Sequence, residues 1–228
     1  ALPLGALPGL TLAEDLTVVM SAPLRTLDPT SSTARIVRSH GFMVFDTLLG
    51  LDENMAVQPE MASYTVSDDN LVYTFTLRDG LMFHDGSPVE AADAVASIKR
   101  WSVKRADGQA MMKRVKEIVA VDPKTFEIRL EKPFGPMLRV LANPTLPLVV
   151  MREEEASTDP NTQVETIIGS GPFMFIDSEW VPGDRVVYKK FADYKPRSEA
   201  PDGFAGGKVA KVDRVEWIYI PDTNTATQ

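Results

Sequence analysis

Residues 70–101, NLVYTFTLRDGLMFHDGSPVEAADAVASIKRW, hold the signals that decide the fold of this chain. Polar and apolar side chains alternate over residues 72–77, which is the period of a strand with one aromatic, buried face. The tripeptide 78–80, Arg-Asp-Gly, predicts a tight reversal, because Gly accepts the positive φ that such turns need. Residues 81–83 should then form a second short strand that closes a hairpin before the turn at 85–88.

The second half of this stretch changes to the spacing of a helix. From Ala91 to Trp101 the apolar side chains recur every three or four residues, which predicts a helix with one buried face. Asp93 would place a carboxylate in the first turn, near the positive end of the helix dipole. Glu90 stands at the N-cap, where Ser, Thr, Asp or Asn would cap the helix better.

The whole unit resembles the signature of the family 5 extracytoplasmic solute-binding proteins, the peptide, nickel and opine receptors of ATP-driven importers. That signature reads approximately y-t-F-x-L-R-x-G-v-x-F-x-d-G-x-p-l-T-A-x-D-V. The matching residues are Tyr73, Phe75, Leu77, Arg78, Gly80, Phe83, Asp85, Gly86, Pro88, Ala91 and Asp93. Residues 169–173, GSGPF, are similar to the family motif G-T-G-P-Y/F, and residues 27–29, Leu-Asp-Pro, resemble the segment after its first strand.

Outside this unit the chain reads as hairpins mixed with single helices. The expected strands are residues 16–20, which should be buried, and 62–66, 71–77, 118–121, 125–130, 148–151, 173–177, 185–190 and 212–220. The expected helices use the apolar residues between 36 and 49, those between 134 and 141, and the acidic segment 152–156, whereas residues 106–108 should break the pattern. Strands that come largely as hairpins indicate the α/β class with a mixed sheet.

The composition is that of a globular chain. Its 228 residues, 44% of them hydrophobic, can bury a core of one large domain or two small ones. The net charge of −8 argues against binding to a phosphate backbone, so no nucleic-acid partner is expected. The absence of Cys excludes a disulfide framework, a thiolate metal site and the residue through which bacterial lipoproteins are acylated.

The first thirteen residues, ALPLGALPGLTLA, form a separate segment that is apolar and carries no charged side chain. Residues 11–13, Thr-Leu-Ala, have the small-x-small character of a signal-peptidase site. Residues 1–13 therefore read equally well as the remnant of an export signal or as a flexible N-terminal arm. No other part of the sequence has an apolar run long enough to cross a membrane.

Few residues of the sequence are arranged for catalytic chemistry. His40 and His84 form no H-E-x-x-H pair and have no Cys to join them, so no metal site is expected. His84 reads as a structural residue of its turn-bounded segment. Residues 169–171 are not a G-x-S-x-G nucleophile elbow, and residues 153–155, Glu-Glu-Glu, read as a solvated helix face. We therefore expect no enzyme activity and no cofactor.

The family resemblance implies a function in transport. It implies that residues 14–228 are most of lobe I, the amino-terminal portion of a two-lobed periplasmic binding protein of type II, with the second lobe missing from this sequence. Such a protein would be a periplasmic, monomeric receptor that captures a peptide or similar small solute and delivers it to the membrane permease of an ABC importer. A sensory or regulatory solute-binding module is the alternative, and a hydrolase comes third. The identity of the solute cannot be read from the sequence.

The resemblance also places a set of candidate ligand-binding residues on the cleft face of lobe I. They are Ser31, Ser32, Thr33, Arg35, Met111, Met112, Asn143 and Thr145. Hydroxyl and amide groups on loops give directed hydrogen bonds, and Arg35 could pair with a ligand carboxylate. Ordinary surface loops are the plain alternative for each of them. The nickel branch of the family has an aromatic residue where Met111 stands and an Arg where Thr145 stands, which counts against a nickel chelate as the ligand.

Overall fold

A computed structural model describes residues 14–221 of the chain. The segment 1–13, for which the sequence predicts an export-signal remnant or an arm, lies outside the described residues. The strands are β1 (Asp15–Val19), β2 (Leu49–Leu51), β3 (Val57–Pro59), β4 (Ala62–Val66), β5 (Val72–Leu77), β6 (Val115–Ala120), β7 (Thr125–Leu130), β8 (Phe173–Phe175), β9 (Arg185–Lys190) and β10 (Arg214–Ile218). The helices are α1 (Arg35–Val44), α2 (Ala91–Lys104), α3 (Ala106–Met112), α4 (Met137–Leu141) and α5 (Glu153–Ala156), with a 3-10 turn at Asp177–Glu179.

The strands form two four-stranded sheets and one two-stranded ribbon. One sheet has the order β1-β10-β9-β8, the other has the order β4-β5-β7-β6, and β2 pairs with β3. The β1 and β10 strands run parallel, whereas the remaining strand pairs of the described residues are antiparallel. The prediction of an α/β fold with a mixed sheet and hairpins is confirmed.

The larger of two apolar cores lies between helix α2 and the sheet that contains β5. The rings of Phe75 and Phe126 stack across β5 and β7 with centroids 4.9 Å apart. Ile98 and Trp101 of α2 are almost fully buried in the same core. Helix α2 begins at Ala91, as predicted, and Asp93 accepts the backbone N–H of Glu90 at 2.7 Å, which secures its first turn.

The smaller core lies between α1 and the sheet that contains β10. Tyr188 and Trp217 pack edge to face there, with ring centroids 5.0 Å apart. His40 of α1 is fully buried beside them, and its Nδ1 lies 2.9 Å from the hydroxyl of Tyr188. Burial lowers the pKa of His40 to about 3, so the ring is neutral at physiological pH.

The segment GSGPF, residues 169–173, contacts both His84 of the signature stretch and the end of α1. The backbone N–H of His84 donates to the carbonyl oxygen of Gly169 at 2.8 Å, and its Nε2 lies 3.0 Å from the carbonyl oxygen of Gly171. A side chain at Gly169 would overlap the carbonyl oxygen of Val44, so only Gly allows this loop to approach the end of α1 so closely. Burial lowers the pKa of His84 to about 4. The structural role predicted for His84 agrees with these contacts.

The hairpin predicted for residues 81–83 is wrong. Strand β5 has β4 on one side and β7 on the other, so no free edge is left for residues 81–83. Met82 instead makes a single bridge to Pro88. The strand predicted for residues 148–151 is also wrong, because Val149 makes only a single bridge, to Thr47. These four residues are nevertheless buried.

Two further predictions fail at other elements. Residues 106–108 do not break the helical pattern, since only Arg105 is extended and α3 begins directly after it. Gly108 is suited to this helix because a Cβ there would lie 2.7 Å from the Cα of Ser102. Strand β1 is mostly exposed rather than buried, with Leu16 at 46% and Val19 at 45% exposure, because β10 is its one described neighbour.

Candidate ligand-binding surface

The loop of residues 28–34 presents the first group of candidate residues. Asp28 is fully buried, and its Oδ1 accepts the backbone N–H groups of Thr30 at 2.8 Å and Ser31 at 3.3 Å. The hydroxyl of Ser31 donates to the carbonyl oxygen of Asp28 at 2.9 Å. The sequence Leu-Asp-Pro-Thr-Ser therefore folds into a tight turn around one carboxylate, as expected for Asp at the start of a turn.

The rest of this loop leads into α1. The hydroxyl oxygen of Ser32 accepts the N–H of Ala34 at 3.1 Å, and Thr33 and Arg35 are exposed. A hydroxyl has one donor and two acceptor positions, so Ser31 and Ser32 keep hydrogen-bonding capacity for a ligand. The loop therefore offers hydroxyl groups and one guanidinium to solvent.

The loop of residues 142–147 presents the second group. The side-chain oxygen of Asn143 accepts the N–H of Thr145 at 3.0 Å, and the amide nitrogen of Asn143 donates to Asp107 at 3.1 Å. Arg38 of α1 donates from Nη1 to the carbonyl oxygen of Thr145 at 3.1 Å. The structure thus brings Asn143 and Thr145 to the same helix that carries Arg35.

The two methionines lie apart from these loops. Met111 is fully buried in the larger core, so its side chain fills the core and does not reach the surface of the described part of the chain. Met112 is half-buried and lines a groove with residues of α2 and α3 that includes none of the other candidates. The resemblance placed both on the ligand-facing side, but the structure does not bring them together with the other six.

Two neighbouring cavities are lined in part by α1. One, of about 540 Å³, is lined by Phe42, by the loop that carries Phe204 and by Trp217 of β10. The other, of about 320 Å³, is lined by Arg35 and shares Ser39 and Trp217 with the first. The rings of Phe42 and Phe204 face each other with centroids 5.5 Å apart. A mostly apolar cavity beside convergent polar groups is the usual form of a small-molecule site.

Apart from Arg35, the residues that line these cavities were not predicted from the sequence. Arg35, Ser39 and Phe42 are four and three residues apart, which places them on one face of α1. That spacing was available in the sequence, because a helix was predicted there. Phe204 carried no such signal, since it lies in a loop without periodicity and half of its surface is exposed.

A buried charge cluster holds the loop that carries Phe204. Lys208 pairs with Asp46 and lies 3.9 Å from Glu60, and both carboxylates are almost fully buried. Tyr194 donates its hydroxyl to Asp46 at 2.9 Å, and the N–H of Gly206 donates to Glu60 at 2.7 Å. Burial, and to a smaller extent Asp46, raises the pKa of Glu60 to about 7, while Lys208 opposes the shift.

The described part of the chain has neither a metal cluster nor a membrane helix. No group of three His, Asp or Glu side chains within residues 14–221 is arranged to hold a metal ion. Among the helices of those residues none has the length and apolar content to cross a bilayer, and α2 has 14 residues. The candidate surface consists of two polar loops, one partly exposed face of α1 and two cavities.

This mixed α/β fold is shared with the solved periplasmic binding proteins described below. The model of the bacterial extracellular solute-binding proteins, family 5 Middle, matches residues 56–228. This chain belongs to that family.

Two curated relatives extend the comparison. The probable peptide ABC transporter periplasmic-binding protein y4tO of Sinorhizobium fredii is 44% identical over 223 residues, which are 94% of this chain and 41% of that protein. The glutathione-binding protein GsiB of Salmonella typhimurium is 31% identical over 229 residues, which are 97% of this chain and 41% of that protein. The chain thus spans about two fifths of the length of these relatives.

Two solved structures share the fold. The periplasmic binding protein AgaA of A. tumefaciens R10, in complex with agropinic acid, has a TM-score of 0.75 and 27% identity over 93% of this chain and 41% of that chain. NikA of Brucella suis, in complex with Fe(III)-EDTA, has a TM-score of 0.75 and 23% identity over 92% of this chain and 40% of that chain. At 23% identity the NikA comparison supports the fold and no more.

Proposed function

We propose that residues 14–228 form lobe I of a two-lobed, periplasmic solute-binding receptor of an ABC importer. The receptor captures a peptide or similar small solute between its lobes and delivers it to the membrane permease. The observation that carries this proposal is the convergence of the loops 28–34 and 142–147 on α1, a helix that also lines two cavities, in a chain of solute-binding family 5.

The chemistry of this surface suits a peptide. Arg35 can pair with a terminal carboxylate, the hydroxyls of Ser31, Ser32 and Thr33 can bond peptide groups, and the cavity beside Phe42 can take an apolar side chain. Two relatives support this class of solute, since one is named as a probable peptide-binding protein and the other as a glutathione-binding protein. Asn143 and Thr145 complete the proposed contact set, whereas Met111 and Met112 lie outside it.

Transport follows from closure of the two lobes. A solute that contacts both lobes binds the closed state more tightly than the open state, and it shifts the equilibrium by that difference in affinity. The permease then recognises the closed form. A lone lobe would offer only half of the contacts and should bind weakly.

The test uses the whole protein purified from the periplasm. Native mass spectrometry should detect a co-purifying solute, and isothermal titration with trialanine and with glutathione should show saturable binding of at least one of them. Small-angle scattering should show a smaller radius of gyration in the saturated protein. Absence of every binding signal, or an unchanged radius on saturation, would contradict the proposal.

Uptake in cells separates an importer receptor from a sensory module. Deleting the gene of this protein or the gene of its permease should abolish uptake of the labelled solute to the same extent. If uptake persists without this protein while transcription of a solute-responsive gene is lost, the sensory alternative is correct.

A further inference from the structure

We propose that Arg105 and Asp107, at the junction of α2 and α3, are positioning residues that fix the spacing between the loops 28–34 and 142–147. The proposal rests on the proposed function, because both loops belong to the surface assigned to the solute. Neither residue was predicted from the sequence to take part in the site.

Arg105 is hydrogen-bonded to the first loop, residues 28–34. Its side chain is only 4% exposed, and its Nη2 donates to the carbonyl oxygens of Pro29 at 2.9 Å and Ser32 at 3.0 Å. Its Nε has no hydrogen-bond partner among the described residues, so the two bonds from Nη2 are its cross-link to the loop. Burying a guanidinium is costly, and burial lowers the pKa of Arg105. An apolar residue would fill the same space at less cost but could not bind two carbonyl groups.

Asp107 holds the second loop from the same junction. Its Oδ2 accepts the side-chain amide of Asn143 at 3.1 Å, while its Oδ1 accepts the N–H of Gly108 at 3.0 Å. Asn143 in turn orders its own loop through the N–H of Thr145. The conformation of this loop is therefore linked to a residue only two positions from Arg105.

A third connection, from α1 to the second loop, closes these hydrogen bonds into a ring. Arg38, on the helix that follows the first loop, donates to the carbonyl oxygen of Thr145 in the second loop at 3.1 Å. The ring thus runs from Arg105 to Ser32, along α1 to Arg38, on to Thr145 and Asn143, and back through Asp107. Because the ring is closed, we expect a change in one loop to affect the other.

The junction itself is closely packed. Gly108 packs so closely on α2 that a Cβ would lie 2.8 Å from the ring of Trp101 and 2.7 Å from the Cα of Ser102. The indole N–H of Trp101 donates to the carbonyl oxygen of Leu146 at 3.0 Å, which adds a second anchor for the loop 142–147. Both loops are therefore hydrogen-bonded to the same packed junction of α2 and α3.

Hydrogen exchange of the whole protein without solute tests the positioning role. The variants Arg105→Lys and Asn143→Asp should each speed amide exchange in both loops by about tenfold, the factor for about 1.4 kcal/mol of local opening. The side chain of Lys is one bond shorter than that of Arg, so its Nζ does not reach the position from which Nη2 donates to both carbonyl oxygens. The Asn143→Asp change would place a second carboxylate directly against that of Asp107. The double variant Asp107→Asn with Asn143→Asp restores a carboxylate–amide pair in the reverse direction, and it should return exchange in both loops close to the wild-type rate.

Controls and contrary outcomes follow from the same design. Arg129→Ala, which removes a partly exposed Arg that pairs with Glu117 and Glu127, should leave both loops unchanged. Exchange that stays at the wild-type rate in the variants, or that rises only in the loop directly touched, overturns the proposal, as does a double variant no better than Asn143→Asp alone.

A binding measurement separates this inference from the proposed function. If the whole protein binds trialanine, Arg105→Lys should weaken it by about tenfold with little change in the unfolding temperature, and the double variant should recover it relative to Asn143→Asp. If wild type binds no solute at all, the proposed function fails while the exchange experiment still decides the positioning role.

Discussion

The Nη2 of Arg100 lies 2.9 Å from the Oδ2 of Asp28, and both side chains are almost completely buried. The same guanidinium also donates to the carbonyl oxygens of Thr158 at 2.9 Å and Thr162 at 2.7 Å. Asp28 in turn shapes the loop that carries Ser31. One buried ion pair therefore joins α2, the segment near residue 160 and the candidate ligand-binding loop.

Removing one partner of this pair should be strongly destabilising. Asp28→Ala leaves the Arg100 charge buried without a counter-ion and removes the turn around Thr30, so we expect a loss of about 3–5 kcal/mol in the free energy of unfolding. Urea unfolding of the whole protein measures it. Arg129→Ala, which breaks one exposed and one partly buried pair at the surface, should cost less than about 1 kcal/mol. Equal effects of the two variants would contradict the importance of the buried pair.

A second prediction concerns the close approach of GSGPF to α1. In Gly171→Ala the new Cβ would lie 2.7 Å from the backbone carbon of Val44 and 2.9 Å from the nitrogen of Phe45, so backbone must move. We expect a loss of at least about 2 kcal/mol, seen as a lower unfolding temperature. Gly135→Ala is the matched control, because no atom lies within 4 Å of its Cβ position. An unfolding temperature equal to that of the control would show that the loop can relax.

The third prediction concerns ligand recognition by Arg35. If its exposed guanidinium binds the terminal carboxylate of a peptide, Arg35→Ala should weaken trialanine binding to the whole protein by at least about tenfold. Trialanine amide, which lacks that carboxylate, should bind wild type and variant with equal affinity. Isothermal titration measures all four combinations, and Arg129→Ala controls for the loss of a positive charge. Unchanged trialanine affinity in Arg35→Ala would remove Arg35 from the site.

Local patterns predicted the local elements of this fold and missed what depends on distant contacts. The alternation over residues 72–77 and 125–130 predicted strands β5 and β7, and the spacing after Ala91 predicted α2. The pairing of β5 with β7, which excludes residues 81–83 from the sheet, joins segments about fifty residues apart and leaves no local signal. Gly108 looked like a helix breaker because its packing against Trp101 cannot be seen in the sequence.

The candidate site was predictable to a similar extent. The family resemblance pointed to the loops that begin α1 and contain Asn143, and the structure brings these loops together through Arg38. It also pointed to Met111, which is fully buried. The part that Phe204 takes in lining the larger cavity could not be predicted. The loop that carries Phe204 is held in place by Lys208, which contacts two carboxylates from a distant part of the chain.

The last prediction concerns pH and Glu60. Its pKa in the folded protein is about 7, against an ordinary value of 4.5, so the folded state holds the proton more tightly than the unfolded chain. The resulting stabilisation, at most about 3 kcal/mol, is complete below about pH 4.5 and is lost as the pH rises through 7. Burial lowers the pKa values of His40 and His84. These two residues therefore stabilise the folded state more at high pH than at low pH, which is the opposite of the effect of Glu60.

Comparison with Glu60→Gln isolates the carboxylate from the histidines. Gln keeps an acceptor for the N–H of Gly206 but has no proton to lose, so wild type should gain stability relative to this variant as the pH falls from 7 to 4.5. Urea unfolding at pH 4.5, 5.5, 6.5 and 7.5, values chosen to bracket the titration, gives the difference directly, and the histidine contributions cancel in it. The exposed Glu154→Gln serves as the matched control. A difference between wild type and Glu60→Gln that does not vary with pH would show that Glu60 titrates normally in the folded protein, and that the contacts of Lys208 and Gly206 offset the cost of its burial.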